Sequence, residues 1–297
     1  MSDQDLPRLT VIIGPTASGK TDAAIALAEK QGGAVVSADS RQIYAGMNIG
    51  TAKPMEAWTS KVHDVLTPDS VQNINHFLFN ISTPDHPLFL AQWQPDAFQV
   101  IDEIIAQSKH PILTGGTMLY VDSIVDNYSI PNVAPDYALR GKLARQSTAD
   151  LYATLLAKDQ AAKEFIEPHH AQRIIRALEV IAVSGQAFSA TRQRQASRYA
   201  CEVIGLFPGW DELRKRITFR SKGMVEIGLL EETDFLRKQF GAELPLLKTL
   251  NYNQAGRVLD GEISREEAVQ LMIQQDMRYA HRQMSWWKRR LDITWHP

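Results

Sequence analysis

Eight consecutive residues, Gly14-Pro15-Thr16-Ala17-Ser18-Gly19-Lys20-Thr21, satisfy the pattern G-x-x-x-x-G-K-[ST] in full. Glycines at both ends let the backbone wrap so that successive N–H groups point at phosphate oxygens. A helix starting at the loop's end adds the positive end of its dipole. Lys20 sets a cation on the phosphates, and the Thr21 hydroxyl is suited to ligate Mg²⁺. The implied chemistry is binding of a polyphosphate, ATP among the candidates, without saying which. Asp39, in Ser37-Ala38-Asp39-Ser40-Arg41, is the second residue of interest. A carboxylate beside a phosphate site holds metal through water, accepts a proton as a general base, or caps a loop. Spacing leaves these open. Phosphoryl-transfer enzymes normally carry an acidic residue at the end of a buried strand to hold the metal. Here the candidate strand 111–113 runs into Thr114-Gly115-Gly116-Thr117, with no carboxylate.

Short elements must position these residues. Leu9-Thr10-Val11-Ile12-Ile13, bounded by Gly14-Pro15, reads as a buried strand. Residues 21–30 have helical apolar spacing and stop at Gly32-Gly33. Residues 34–36 form a second strand that delivers Asp39 to its carboxyl end, where α/β sheets place ligands. A helix over 98–107 and a third strand over 111–113 complete the rhythm of an α/β domain with a parallel sheet. Beyond about Tyr120 the strand signals fade. Residues 150–165 and 171–183 read as helices, 201–207 as one returning strand, and 210–239 and 264–289 as mostly helical. The expected organisation is a core of 1–124 and 201–297 with a helical insertion at 125–200. The segment 62–95 is dense in Pro, Asp, Asn and His. His63, His76 and His86 fit no metal-ligand spacing and read as surface or loop histidines.

Composition narrows the class. The chain has 297 residues, 44% hydrophobic and 22% charged, with Cys201 as its one cysteine. This excludes a disulfide framework and a zinc site built on paired cysteines. No apolar run nears the ~20 residues of a membrane helix, and residues 1–7 are acidic and polar, unlike a signal peptide. A cytosolic monomer is expected, with no membrane partner. Net charge is −2, yet basic residues gather in the second half: Arg192, Arg194 and Arg198; then Arg214, Lys215, Arg216, Arg220 and Lys222; then Arg278, His281, Arg282, Lys288, Arg289 and Arg290. Each alone reads as the solvated face of a helix; three together point to a basic face.

Four segments, in order, resemble the signatures of the tRNA dimethylallyltransferases, also called tRNA isopentenyltransferases. They are Asp39-Ser-Arg-Gln-Ile-Tyr44 with Gly46-Met-Asn-Ile-Gly-Thr-Ala-Lys-Pro54, Gly115-Gly-Thr-Met-Leu-Tyr120, Gln172-Arg-Ile-Ile-Arg-Ala-Leu-Glu-Val180, and Arg282-Gln-Met-Ser-Trp286. The resemblance implies a nucleotide-kinase-like P-loop core with a helical tRNA-binding insertion. It implies transfer of a dimethylallyl group from dimethylallyl diphosphate to N6 of adenine 37 in the anticodon stem-loop, with Mg²⁺. The phosphate loop, Gly14 to Thr21, then holds a diphosphate leaving group, which accounts for the missing strand-end carboxylate. By the same resemblance Asp39 is the base, Thr117 and Lys20 join it in catalysis, and the RNA meets Asp39, Ser40, Arg41, Gln42, Thr117, Arg140, Gln172, Arg173, Ile174, Ile175, Arg176 and Arg282. The adenine must leave its stack, at a cost of a few kcal/mol. Trp286 and Trp287 are candidates for base stacking or for core packing. The family's Ile-Gly-Tyr is here Leu250-Asn251-Tyr252, where Asn is expected to tolerate a positive φ. The alternatives are an ATP-dependent kinase, an enzyme prenylating free adenine nucleotides, and a non-catalytic phosphate-binding module.

Overall fold

The structure, a computed structural model, describes residues 6–192, 194–290 and 292–297. Residues 1–5, most of the segment read as unlike a signal peptide, lie outside it, as does the side chain of Arg192. Seven strands, β1 (Arg8–Ile13), β2 (Gly33–Ser37), β3 (Asp69–Val71), β4 (Ile74–Phe77), β5 (His110–Thr114), β6 (Ala200–Leu206) and β7 (Ile293–His296), form one sheet in the order β3-β4-β2-β5-β1-β6-β7. Every neighbouring pair is parallel except β3 with β4. β1, β2 and β5 are buried along nearly their whole length, as strands covered on both faces must be. They lie side by side, with Leu113 opposite both Val11 and Val36. Their carboxyl ends therefore open together, and the phosphate loop, Asp39 and Gly115–Thr117 each follow one of them.

The described residues also form ten α-helices: α1 (Lys20–Gln31), α2 (Leu90–Ala106), α3 (Met118–Val125), α4 (Tyr137–Leu143), α5 (Thr148–Lys158), α6 (Ala171–Ser184), α7 (Trp210–Glu226), α8 (Leu229–Phe240), α9 (Leu250–Leu259) and α10 (Arg265–Trp287). Backbone proximity divides the chain into two compact units. One is Met1–Leu88, Asp96–Val121 and Arg198–Pro297; the other is Phe89–Pro95 and Asp122–Ser197. In the first, α7 and α10 pack through Leu213, Ile217, Val269, Ile273, Met277 and Ala280, with Ala17 of the phosphate loop against them. In the second, Leu151, Leu155, Ala162, Ile166, Ile174, Ala177 and Leu178 form a separate core. Its α5 is capped by Ser147, whose hydroxyl accepts the Asp150 N–H. No helix among the described residues is long and apolar enough to cross a membrane.

Four elements differ from the sequence reading. β3 and β4 occupy the segment that showed no strand. They are joined by Gln72 and Asn73, both at positive φ (50° and 63°), the backbone of a two-residue hairpin turn without its usual glycine. β7 follows α10 beyond the expected helix 264–289, in a stretch to which no element was assigned. α2 begins at Leu90, eight residues before the predicted start, and carries Pro95 inside it, a residue that normally marks a helix boundary.

Candidate active site

Gly14 enters the phosphate loop where only glycine fits: a Cβ there would stand 2.4 Å from the Leu206 carbonyl oxygen. The loop is closed by Ser18 N–H donating to Pro15 O at 3.2 Å, with Ala17 at φ 63°. Lys20 Nζ donates to Pro15 O at 2.7 Å. Burial lowers the Lys20 pKa to about 7, and the Arg220 guanidinium pushes the same way against the pull of Asp39. Arg220 donates to Thr16 Oγ1 at 2.9 Å and pairs with Asp276 at 2.6 Å. Arg216 Nη1 donates to Ser18 O at 3.4 Å. Three cationic side chains thus ring the loop. Ser18 Oγ is buried without a hydrogen-bond partner, a hydroxyl that a phosphate oxygen would satisfy.

Asp39 stands across from this loop. Its Oδ1 accepts the Arg41 N–H at 2.8 Å and the Gln42 N–H at 3.4 Å, which fixes one oxygen and leaves Oδ2 3.9 Å from where a Gly116 Cβ would be. The glycine pair lets the β5 turn approach the β2 turn: a Cβ on Gly115 would lie 2.2 Å from Ala38 O. Thr117 N–H donates to Ala38 O at 3.3 Å, and Thr117 Oγ1 accepts the Ser40 N–H at 3.0 Å and donates to Ser40 Oγ at 3.2 Å. Thr114, which ends β5, turns its hydroxyl to Ile12 O at 3.1 Å, so that strand end offers no metal carboxylate. Gln42 Nε2 donates to Thr51 O and Ala52 O. The phosphate loop, Lys20, Thr21, Asp39, Gln42 and Gly115-Gly116 line one cavity of about 520 Å³.

The roles of several residues around this site were not assigned from sequence, although Gln283 and Lys53 lie inside the quoted signatures. Gln283, fully buried on α10, accepts the Thr16 N–H at 2.8 Å and donates to Gly116 O at 2.8 Å. It ties the phosphate loop to the β5 turn. Tyr279 OH donates to the same Gly116 oxygen at 2.8 Å. Asp276, Tyr279 and Gln283 recur at helical spacing on the packed side of α10, and polar residues on a buried helix face were the available signal. Glu232 accepts the N–H groups of Asn48, Ile49 and Gly50 and the Tyr252 hydroxyl. Lys53, buried, donates to Tyr44 O at 2.8 Å and to Asn80 Oδ1. Burial brings its pKa to about 7, against the pull of Asp69, Glu232 and Asp39.

Other expected positions are revised. His76 is 1% exposed on β4, not a surface or loop histidine. It lines the cavity and stacks on Phe79, and burial lowers its pKa. Among the described residues no group of His, Cys, Asp and Glu forms a metal cage. Asn251 is not at positive φ; Leu250 is, at 49°. Asn251 instead donates to Gly50 O at 3.1 Å. Trp287 is fully buried, so it packs and cannot stack on a base. Arg282 is exposed, its guanidinium 5.5 Å from the Tyr279 ring centroid.

The second unit holds the remaining expected RNA contacts. Gln172 and Arg173 are exposed at the start of α6, and Ile175 is partly buried against the unit's core. Ile174 is 0% exposed within that core, so it supports α6 and offers RNA nothing. Arg140 and Arg176 converge on Glu179, itself 0% exposed, and Arg176 also donates to Val133 O. Both arginines remain about a third exposed, at 34% and 31%, so their outer edges stay accessible while their charge is shared. Burial would raise the Glu179 pKa, but hydrogen bonds from Arg140, Arg176 and the Asp136 N–H hold it below the usual carboxylate range.

The IPP transferase family model matches residues 42–290, and an isopentenyl transferase model matches residues 7–67. A tRNA dimethylallyltransferase of Cyanothece sp. is 40% identical over 289 residues, covering 97% of this chain and 92% of that one. One from Microcystis aeruginosa is 39% identical over 297 residues, covering 100% and 90%. The solved tRNA isopentenylpyrophosphate transferase of Bacillus halodurans superposes with a TM-score of 0.68 at 31% identity, covering 97% of this chain and 89% of that one. A eukaryotic dimethylallyltransferase acting on tRNA gives a TM-score of 0.73 at 21% identity, covering 95% and 70%, a likeness of fold.

Proposed function

This chain belongs to the IPP transferase family, and on that footing we propose that it transfers a dimethylallyl group from dimethylallyl diphosphate to N6 of adenine 37 in the anticodon loop of tRNA. The observation that carries the reading is the convergence of a cation-ringed phosphate loop and Asp39 on one cavity, with no carboxylate at the end of β5. Phosphoryl-transfer enzymes normally carry that carboxylate; a prenyltransferase, which moves carbon, has no need of it.

In the reaction the N6 amine attacks the allylic carbon, a C–N bond forms, and the C–O bond to diphosphate breaks with its electron pair leaving on oxygen. The phosphate-loop N–H groups, Lys20, Arg216 and Arg220 stabilise the charge that develops there. The N6 proton passes to Asp39 Oδ2, since Oδ1 is held by backbone N–H groups. Thr117 holds Ser40 and so keeps the Asp39 turn beside Gly115-Gly116. A Mg²⁺ ion fits this donor set: Thr21, which carries a hydroxyl, lines the cavity, and Mg²⁺ takes few protein ligands when phosphates and waters supply the rest. When bound, it would add charge neutralisation on the diphosphate. Arg173, Gln172 and Arg282 are the exposed expected residues suited to RNA phosphates. We read the enzyme as a cytoplasmic monomer. Comparing an anticodon stem-loop with AMP as acceptors tests the assignment: the RNA is expected to be prenylated, and modification of AMP alone would refute it.

A further inference from the structure

Phe219, on α7, is 82% exposed, the most exposed large apolar side chain among the described residues. Its neighbours one turn away are Lys215 and Arg216 before it and Lys222 after it. Arg216 lines the cavity, so this face continues outward from the diphosphate site along the same helix. The position one turn further on, Gly223, has open space where a side chain would stand, so the α7 surface beside the ring is bare. Single exposed apolar residues are ordinary. An aromatic ring among three cations, next to bare helix and adjoining a reaction cavity, has the make-up of a stacking platform for single-stranded nucleic acid. Arg216 is paired with Glu212 at 2.9 Å, and an apolar protein partner would bury the charges of Lys215 and Lys222 beside it.

We propose that Phe219 stacks against an unpaired base of the acceptor RNA, with Lys215 and Lys222 on the flanking phosphates. The inference rests on the RNA acceptor read above. Stacking of this kind holds the loop open. Phe219 is a positioning residue and touches no reacting atom.

The test measures prenyl transfer to an anticodon stem-loop by wild type, Phe219→Ala, Phe219→Leu and Phe219→Trp, with melting curves to confirm folding. Loss of one base stack is expected to raise the RNA KM by roughly 5- to 100-fold, with kcat at saturating RNA within about 2-fold. Trp is expected to restore the wild-type KM and Leu is not. The salt dependence of binding is expected to be unchanged in Phe219→Ala and weakened in Lys215→Gln with Lys222→Gln. A wild-type KM in folded Phe219→Ala, or rescue by Leu as complete as by Trp, overturns the stack. Failure of wild type to modify the RNA overturns the acceptor reading itself, and shows in the first arm alone.

Discussion

Replacing Gln283 by Ala is expected to damage the enzyme through two bonds that the structure makes unequal. The Thr16 N–H loses its acceptor, while Gly116 O keeps the Tyr279 hydroxyl. One orphaned donor costs about 1–3 kcal/mol, and truncating a fully buried side chain adds a cavity, so a loss of about 2–4 kcal/mol follows. At roughly 2 °C per kcal/mol for a chain of this size, Tm is expected to fall by about 4–8 °C. Because Gln283 links the phosphate loop to the turn beside Asp39, kcat/KM for the prenyl donor is expected to drop by about 10²-fold in the protein that remains folded. Tyr279→Phe removes the second donor to Gly116 O and the hydroxyl's bond with Thr117, and about 1–2 kcal/mol is expected. The double variant leaves that oxygen bare, so the losses are expected to exceed their sum by about 1 kcal/mol. Calorimetry and donor kinetics on the three variants test this. A Gln283→Ala variant no worse than Tyr279→Phe, or strictly additive losses, would refute the reasoning.

Three further outcomes are expected. Diphosphate binding favours charged Lys20, whose pKa in the free protein is about 7; above that pH binding must take up a proton, so affinity is expected to fall by up to tenfold per pH unit. The same shift, from an unfolded value near 10.5, makes this group destabilising below about pH 7, with stability regained as pH rises toward the ordinary lysine range. Titration calorimetry of inorganic diphosphate against pH checks the slope, which Lys20→Ala is expected to flatten. Asp39→Asn is expected to retain diphosphate binding while turnover falls by about 10²–10⁴-fold at all Mg²⁺ concentrations; restoration by excess Mg²⁺ would make Asp39 a metal holder, and a loss of stability alone would make it a cap. Glu179→Gln is expected to destabilise the second unit by about 2–3 kcal/mol, less than for a fully buried pair because both arginines are partly exposed, as read by hydrogen exchange in α4 and α6.

The parts of the site legible in the sequence are those held by local rules. A strand, a glycine loop and a helix announce the phosphate site within fourteen residues, Gly14 needs no side chain to be recognised, and Asp39 follows a short apolar run directly. The parts that were not legible depend on distant packing. Gln283 meets Thr16 across 267 positions, and Glu232 holds a loop about 183 positions away; no periodicity in either segment reports the partner. Ile174 lies inside a signature that the resemblance assigns to RNA, but its helical spacing to Ala177 and Leu178 on α6 marks the buried face and outweighs the motif. The β3–β4 hairpin was missed because Gln72-Asn73 adopts a turn usually marked by glycine.

In the proposed reaction this cavity joins an allylic diphosphate to an adenine of RNA. Mass spectrometry of the nucleosides released from an anticodon stem-loop, after incubation with the protein, dimethylallyl diphosphate and Mg²⁺, tests it most directly. One adenosine heavier by a dimethylallyl group is expected, formed only when the donor is present and nearly absent with Asp39→Asn. Unmodified RNA with folded wild-type protein, or turnover of ATP with no need of a prenyl donor, would contradict it.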